Sequence, residues 1–522
     1  MTNLPYYLNV AASVSIVFIS FLFAYYYRSV KRLGLIPVTD DLTFILVHLR
    51  CAVTGNPPLT QMFKLVSSAK FYSKYYRNLF AKLYGLIRNW GYSAPDALRL
   101  VSRETRSKVD EMLLQRLSAI VATGADLKEY LRIEYNTLFS EYVSAYNRLI
   151  GTLRVILGVY VTLLGALVFM VANLMLLGLI FGGIRELMIT AMSAMAFTLT
   201  AMAVLLWVFS KKPLFEAKVK RKPLILRIVS IGGLASTTVF AGIMLYLSLT
   251  LKIMDLMEVS KCLIISGIAF LPVAVLVKIH EGRINEYDMF YPAFIRSYGE
   301  HMSVVPNFIE SLKPLLVAEL GKLKGLIQRV FARLVNRIEP RIAWNHFTEE
   351  SASEFITRAT TIFLDTVEVG GNTAEAGALL SDHLNELYRI RVNYIQVFKT
   401  FEATLYIMHI ATIIILMLIT GFITLFSDVI SAFAGSVPPE FADILAFFNI
   451  SKEDVSLLTN ILLIVVVFAN ALTLYTTSVG SRYSLYYFLA ILLILTGAGM
   501  YVSTYMINYF INTLLAPGLV GG

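Results

Sequence analysis

Apolar residues fall in two patterns along this chain. In the first they run for about twenty residues with almost no charge, enough to cross a bilayer as helix. Such runs occupy 6–27, 155–181, 187–209, 224–249, 262–279, 403–426, 457–479 and 485–511. In the second they recur every three or four residues within polar surroundings, the stripe of a bundle helix. Two long blocks, 28–154 and 280–402, carry this second pattern. The pattern predicts an all-α, polytopic membrane protein of about eight transmembrane helices with two helical-bundle domains. Its segments are a first span (1–27), bundle 1 (28–154), four spans (155–279) with a basic loop at 210–227, bundle 2 (280–402) and three spans (403–522).

One stretch organises the rest. Gly370 and Gly371 can end a helix, and Asn372 with Glu375 has the spacing of a capping box. Leu380, Leu387, Tyr394 and Phe401 then recur every seven residues. Leu384, Arg391, Phe398 and Leu405 fall between them, with Arg391 the only charge on that seam. No breaker separates the seam from the apolar run that follows, so one rod is expected to pass from water into lipid. The device recurs earlier, where Gly124, Asp126 and Glu129 precede a stripe through Leu131, Leu138 and Tyr142 that feeds the run at 155–181. Turns at Gly55, Gly91 and Gly124 lie 36 and 33 residues apart and read as the ends of stacked helical hairpins. The stretch 313–341 reads as a basic amphipathic helix ending at Pro340, and Pro272 as a kink within the fifth span.

Charge fixes an orientation. The chain has 522 residues, 57% of them hydrophobic and 15% charged, a formal charge of +10 and a mean hydropathy of +0.69. Bundle 1 is rich in Lys and Arg, and the 210–227 loop holds seven basic residues and one acid. The segments on the other side of the spans are poor in basic residues. The positive-inside rule then places both bundles in the cytoplasm and both termini outside a cell membrane.

Catalytic signatures are missing. The chain contains no GxxxxGK[ST], HExxH, CxxC or GxSxG. Its six histidines do not cluster, and Cys51 and Cys262 have neither metal nor disulfide spacing. The expectation is a protein without catalytic residues, cofactor or metal. His383 reads as a hydrogen-bonded interior or boundary histidine, and His409, within a span, as packed or held by an interfacial hydrogen bond rather than as a proton relay. Two basic clusters remain. Arg99, Arg103, Arg106 and Lys108 lie far from any span and suit an acidic protein surface as well as a solvated face. Lys218, Lys220, Arg221 and Lys222 lie in the short loop, where position alone favours anchoring to anionic membrane lipid over a protein partner. No recognition fold accompanies the charge, so nucleic acid is not expected.

The arrangement resembles the type II secretion F-domain proteins, the polytopic platforms of type IV pilus and archaellum machines. The residues that carry the resemblance are Gly55-Asn56-Pro57-Pro58-Leu59, the turn from Gly91 to Leu98, Thr123-Gly124-Ala125-Asp126-Leu127, Gly370-Gly371-Asn372 and the segment from Phe294 to Glu300. The span count resembles the archaeal branch. The resemblance implies a non-enzymatic platform, expected as a homodimer, above a hexameric secretion ATPase. It would pass pilin-like or archaellin-like subunits from the bilayer into a filament. The alternative is a transporter or lipid-handling protein with regulatory bundles, disfavoured because the spans are nearly free of charge. A membrane peptidase lacks an Asp or His pair at the membrane face. Archaellum and adhesive-pilus platforms share this plan, so the sequence leaves that choice open.

Overall fold

Leucine, isoleucine and alanine without interior breakers favour helix, and helix is what forms. The computed structural model describes residues 38–181, 184–218, 223–250, 256–434 and 452–510. The expected first span and the loop cations Lys220, Arg221 and Lys222 lie outside these residues.

The first block consists of α1 (Asp40–Val53), α2 (Leu59–Ser68), α3 (Lys74–Arg88), α4 (Ala94–Ser102) and α5 (Lys108–Thr123). Next come α6 (Leu127–Phe181), α7 (Ile184–Phe209), α8 (Leu224–Thr250) and α9 (Leu256–Val304). The second block adds a 3₁₀ turn (Glu310–Leu316), α10 (Leu323–Val335), α11 (Pro340–Ser351) and α12 (Glu354–Glu368). The chain closes with α13 (Thr373–Ala434), α14 (Lys452–Thr477) and α15 (Ser484–Phe510). Seven of these, α6 to α9 and α13 to α15, are long and apolar enough to cross a membrane. The protein is an all-α, multi-pass membrane protein.

The expected rods are present. The 55 residues of α6 and the 62 of α13 run without interruption from polar block to apolar run, about 80 and 90 Å at the helical rise. A third rod departs from the expected segments. The 49 residues of α9 carry the apolar run at 262–279 straight through position 280 into the second block. Pro272 and Pro292 both lie inside this helix. Each removes one backbone bond, and the packing of α9 between α13 and α15 holds the helix through them.

The expected helix at 313–341 is broken. Gly321, at φ +51, separates the 3₁₀ turn from α10, and Pro340 opens α11 instead of ending a helix. A first-turn proline gives up an amide that has no intrahelical partner anyway.

One apolar core joins blocks and spans, from Phe44 and Phe63 through Tyr298 and Leu384 to Val466 and Leu493. Where α9 and α15 cross, glycines bring the backbones together. A Cβ on Gly267 would meet Ile494 Cγ1 at 2.6 Å, and one on Gly497 would meet Ser260 O at 2.7 Å. Close packing of this kind replaces the hydrophobic effect inside lipid.

Candidate coupling site between the helical blocks

The two blocks meet along α1. Thr39 caps this helix by accepting from Leu42 N, and eleven of its fourteen residues are buried. Its charged and polar residues point across the seam. Asp41 accepts from Arg358 Nη1 of α12 at 2.8 Å, and Glu354 accepts from Arg358 Nε at 2.7 Å. The guanidinium also lies 5.0 Å from the Phe44 ring centroid. Burial opposes the charge on Arg358, but the Glu354 and Asp41 carboxylates outweigh it and hold its pKa above the usual arginine value. Two turns further along α1, His48 Nε2 lies 3.2 Å from Asp365 Oδ2, and Asp365 also binds Arg341.

The predicted turns complete the seam. Gly91, Gly124 and Gly370 take the left-handed conformation (φ +72, +68 and +73). At the first turn it is Asn56, not Gly55, that does so (φ +50). Gly55 serves close approach, since a Cβ there would meet Val369 O at 2.6 Å and Gly371 N at 2.9 Å. A Cβ on Gly371 would meet Thr54 Oγ1 at 2.8 Å. Asn372 N donates to Thr54 Oγ1 at 2.9 Å, while the Asn372 side chain caps Glu375 N at 3.1 Å. The Gly55 turn of the first block and the Gly370-Gly371 turn of the second are thus one contact.

Asp126 caps Lys128 N at 2.8 Å. Neither capping glutamate closes a reciprocal box: Glu129 pairs with Arg132, and Glu375 accepts from Lys128 across the seam at 2.8 Å. Lys128 and Glu375 pair the starts of α6 and α13. One step on, Tyr135 OH is 3.1 Å from Nδ1 of the buried His383, which takes the interior of the two expected places.

A strap ties this seam to the spans. Residues 210–218 run from the end of α7 over both blocks. Ser210 Oγ donates to Thr476 O (2.9 Å) and Lys212 Nζ to Tyr475 O (2.6 Å), both on α14. Lys211 Nζ lies 3.5 Å from Asp40, which also accepts from Tyr142 OH of α6 at 2.7 Å. Ala217 N donates to Ala352 O at 2.8 Å and Glu354 N to Phe215 O at 3.0 Å. Beneath the strap Arg391 is fully buried. It donates to Asp288 Oδ2 of α9 and to Leu214 O, each at 2.5 Å, and stacks 4.0 Å from the Phe355 centroid. Ser353 donates to the other Asp288 oxygen. The lone charge on the α13 seam therefore answers an acid on the buried stripe Ile284, Asp288, Tyr291, Ile295 of α9. That periodicity was the available signal for Asp288. Asp41, His48, Arg358 and Asp365 had none, because their partners are far away in sequence.

Inside the spans the polar groups chain together. Tyr160 OH donates to Asn470 Oδ1 (2.7 Å), so the Asn470 amide faces His409 Nδ1 (3.1 Å). His409 Nε2 then donates to Thr496 Oγ1 (2.8 Å), whose hydrogen goes to Leu492 O (2.7 Å). Four helices, α6, α14, α13 and α15, are pinned by one directional chain around a neutral imidazole.

The predicted docking residues lie in two segments, around the α4–α5 turn and in the loop after α7. Arg99, Arg103, Arg106 and Lys108 are all exposed, and among the described residues no carboxylate pairs with them. Arg106 lies 5.5 Å from the Tyr75 centroid. Trp90, 76% exposed, and Tyr92 share the Gly91 turn that precedes Arg99. Lys218 is exposed, whereas Lys211 and Lys212 of the same loop are engaged as described. Cys51 is fully buried, and burial pushes its thiol up to about 12. Among the described residues no three His, Cys, Asp or Glu group as a metal site.

Residues 46–175, from α1 to most of α6, match the family model of type II secretion system protein F. Two relatives carry the name Flagella accessory protein J. The one from Methanocaldococcus jannaschii is 25% identical over 389 residues, 72% of this chain and 67% of the relative. The one from Methanococcus voltae is 23% identical over 339 residues, 62% of this chain and 60% of the relative. No solved structure matches the chain.

Proposed function

We propose that this chain, a multi-pass membrane protein of the type II secretion system protein F family and a platform of a type IV-like filament system, works by stiff mechanical coupling. A cytoplasmic secretion ATPase moves the two helical blocks, and the rods carry that movement to pilin-like or archaellin-like subunits in the bilayer. The observation behind this reading is the continuity of α6 and α13 from the seam into the spans. A flexible joint would absorb displacement, and an unbroken helix transmits it. In this reading both blocks face the cytoplasm, both termini face outward and the platform is a dimer. The exposed cations Arg99, Arg103, Arg106 and Lys108, with Lys218, Lys220, Arg221 and Lys222, meet an acidic face of the ATPase. The chain itself hydrolyses nothing.

The test is insertion of several glycines into α6 beside Arg154 or into α13 beside Ala403. Membrane insertion is expected to persist while filament assembly stops; full filament assembly in either variant overturns the lever. Copurification with a P-loop ATPase and single-span pilin-like proteins supports the assignment of partners. Stoichiometric uptake of a small substrate by the chain alone would favour a transporter instead.

A further inference from the structure

Where α6 and α13 enter their apolar runs, a groove of about 830 Å³ opens between them. It extends from Arg154 to Ala166 on α6 and from Gln396 to Met408 on α13, about 18 Å at the helical rise. Its length and mainly apolar lining suit extended hydrocarbon chains lying along the two helices.

The lining agrees. Val161, Val397, Phe401 and Met408 supply apolar walls. The hydroxyls of Thr162, Thr400 and Thr404 each donate back to the carbonyl four residues earlier on their own helix, at 2.7, 3.2 and 2.9 Å, so none has a proton left to donate into the trough. Gly158 deepens the floor: a Cβ at this position would have no atom within 4 Å. At the water end stands Arg154, exposed and without a partner among the described residues, while nearby Lys399 is taken by Glu402 at 2.8 Å. A cation at the mouth of an apolar trough at the edge of the spans is the complement of an anionic amphiphile.

We propose that this groove holds a two-chain anionic phospholipid, its phosphate on Arg154 and its chains between α6 and α13. The lipid wedges the two levers apart at the point where they leave water. The site does not depend on which filament is built.

The test uses native mass spectrometry of the full chain in detergent, with phosphatidylglycerol and phosphatidylcholine of matched chain length. Wild type is expected to retain one phosphatidylglycerol in preference to phosphatidylcholine. Arg154→Gln lowers affinity for phosphatidylglycerol about five-fold, the effect of one cation at an anionic headgroup, and leaves phosphatidylcholine unchanged. Gly158→Leu fills the trough and lowers retention of both, with an unchanged unfolding temperature showing that the helix tolerates it. Equal retention of the two lipids by wild type, or wild-type retention by Gly158→Leu, overturns the proposal. So does a photoreactive residue at position 161 that crosslinks to residues 6–27 or to another protein instead of lipid.

Discussion

The rods α6 and α13 begin with the same device, a left-handed glycine followed by an Asx cap, and both continue into the bilayer. Their attachments differ. Along α6 the buried contacts to α1, α13 and α14 are made by tyrosines: Tyr135 on His383, Tyr142 on Asp40, Tyr160 on Asn470. Along α13 the anchor is Arg391, caged by Asp288, Leu214 O and Phe355. Single neutral donors can be lost one at a time. A buried charge has no such tolerance, because removing its partner leaves an ion without water. The first rod is therefore the more adjustable and the second the fixed reference.

The largest effect expected is at Asp288. Asp288→Ala strands Arg391 and should cost about 3–5 kcal/mol, read as a collapse of the thermal unfolding midpoint in detergent. The pair Asp288→Leu with Arg391→Met should recover most of it. If the single variant is silent, the cage does not hold α13. Next is the turn contact: Gly55→Ala puts a methyl against the Val369 carbonyl, an overpacking cost of about 1–3 kcal/mol. Gly91→Ala meets no atom and has only the left-handed conformation to oppose it, about 1–2 kcal/mol. Comparing the two separates contact from backbone strain, and a Gly55→Ala variant as stable as wild type would mean that the blocks can part at this turn. Tyr142→Phe removes one hydrogen bond to a carboxylate, about 1.5–3 kcal/mol at most, and should loosen α6 in hydrogen exchange while leaving α13 protected. Smallest is Lys128→Ala. Its pair with Glu375 is half exposed and is expected to contribute under about 1 kcal/mol. A larger loss would make the rod starts a true lock.

Much of this is legible without the fold. Spans and rods can be read because lipid demands about twenty apolar residues and helices repeat every 3.6, both local properties. Gly91, Gly124 and Gly370 are legible because a left-handed residue after a helix is a local backbone event. Gly55 carries the same signal for a different reason: its role is set by Val369 and Gly371, which lie in the other block. Lys211 and Lys212 look like lipid-facing loop cations, and the strap uses them as tethers to Asp40 and Tyr475.

The sequence by itself determined what depends on neighbours along the chain: helix, caps, the rods α6 and α13, and a membrane-embedded half. Only tertiary structure decided which charges meet. Arg391 with Asp288 joins positions 103 residues apart, and Arg358 with Asp41 joins positions 317 apart. His48 with Asp365 likewise bridges the two blocks, and such pairs follow from how helices pack. Tertiary structure also decided that α9 is a third rod, since its two prolines forbid reading continuity from local preference and packing between α13 and α15 supplies it.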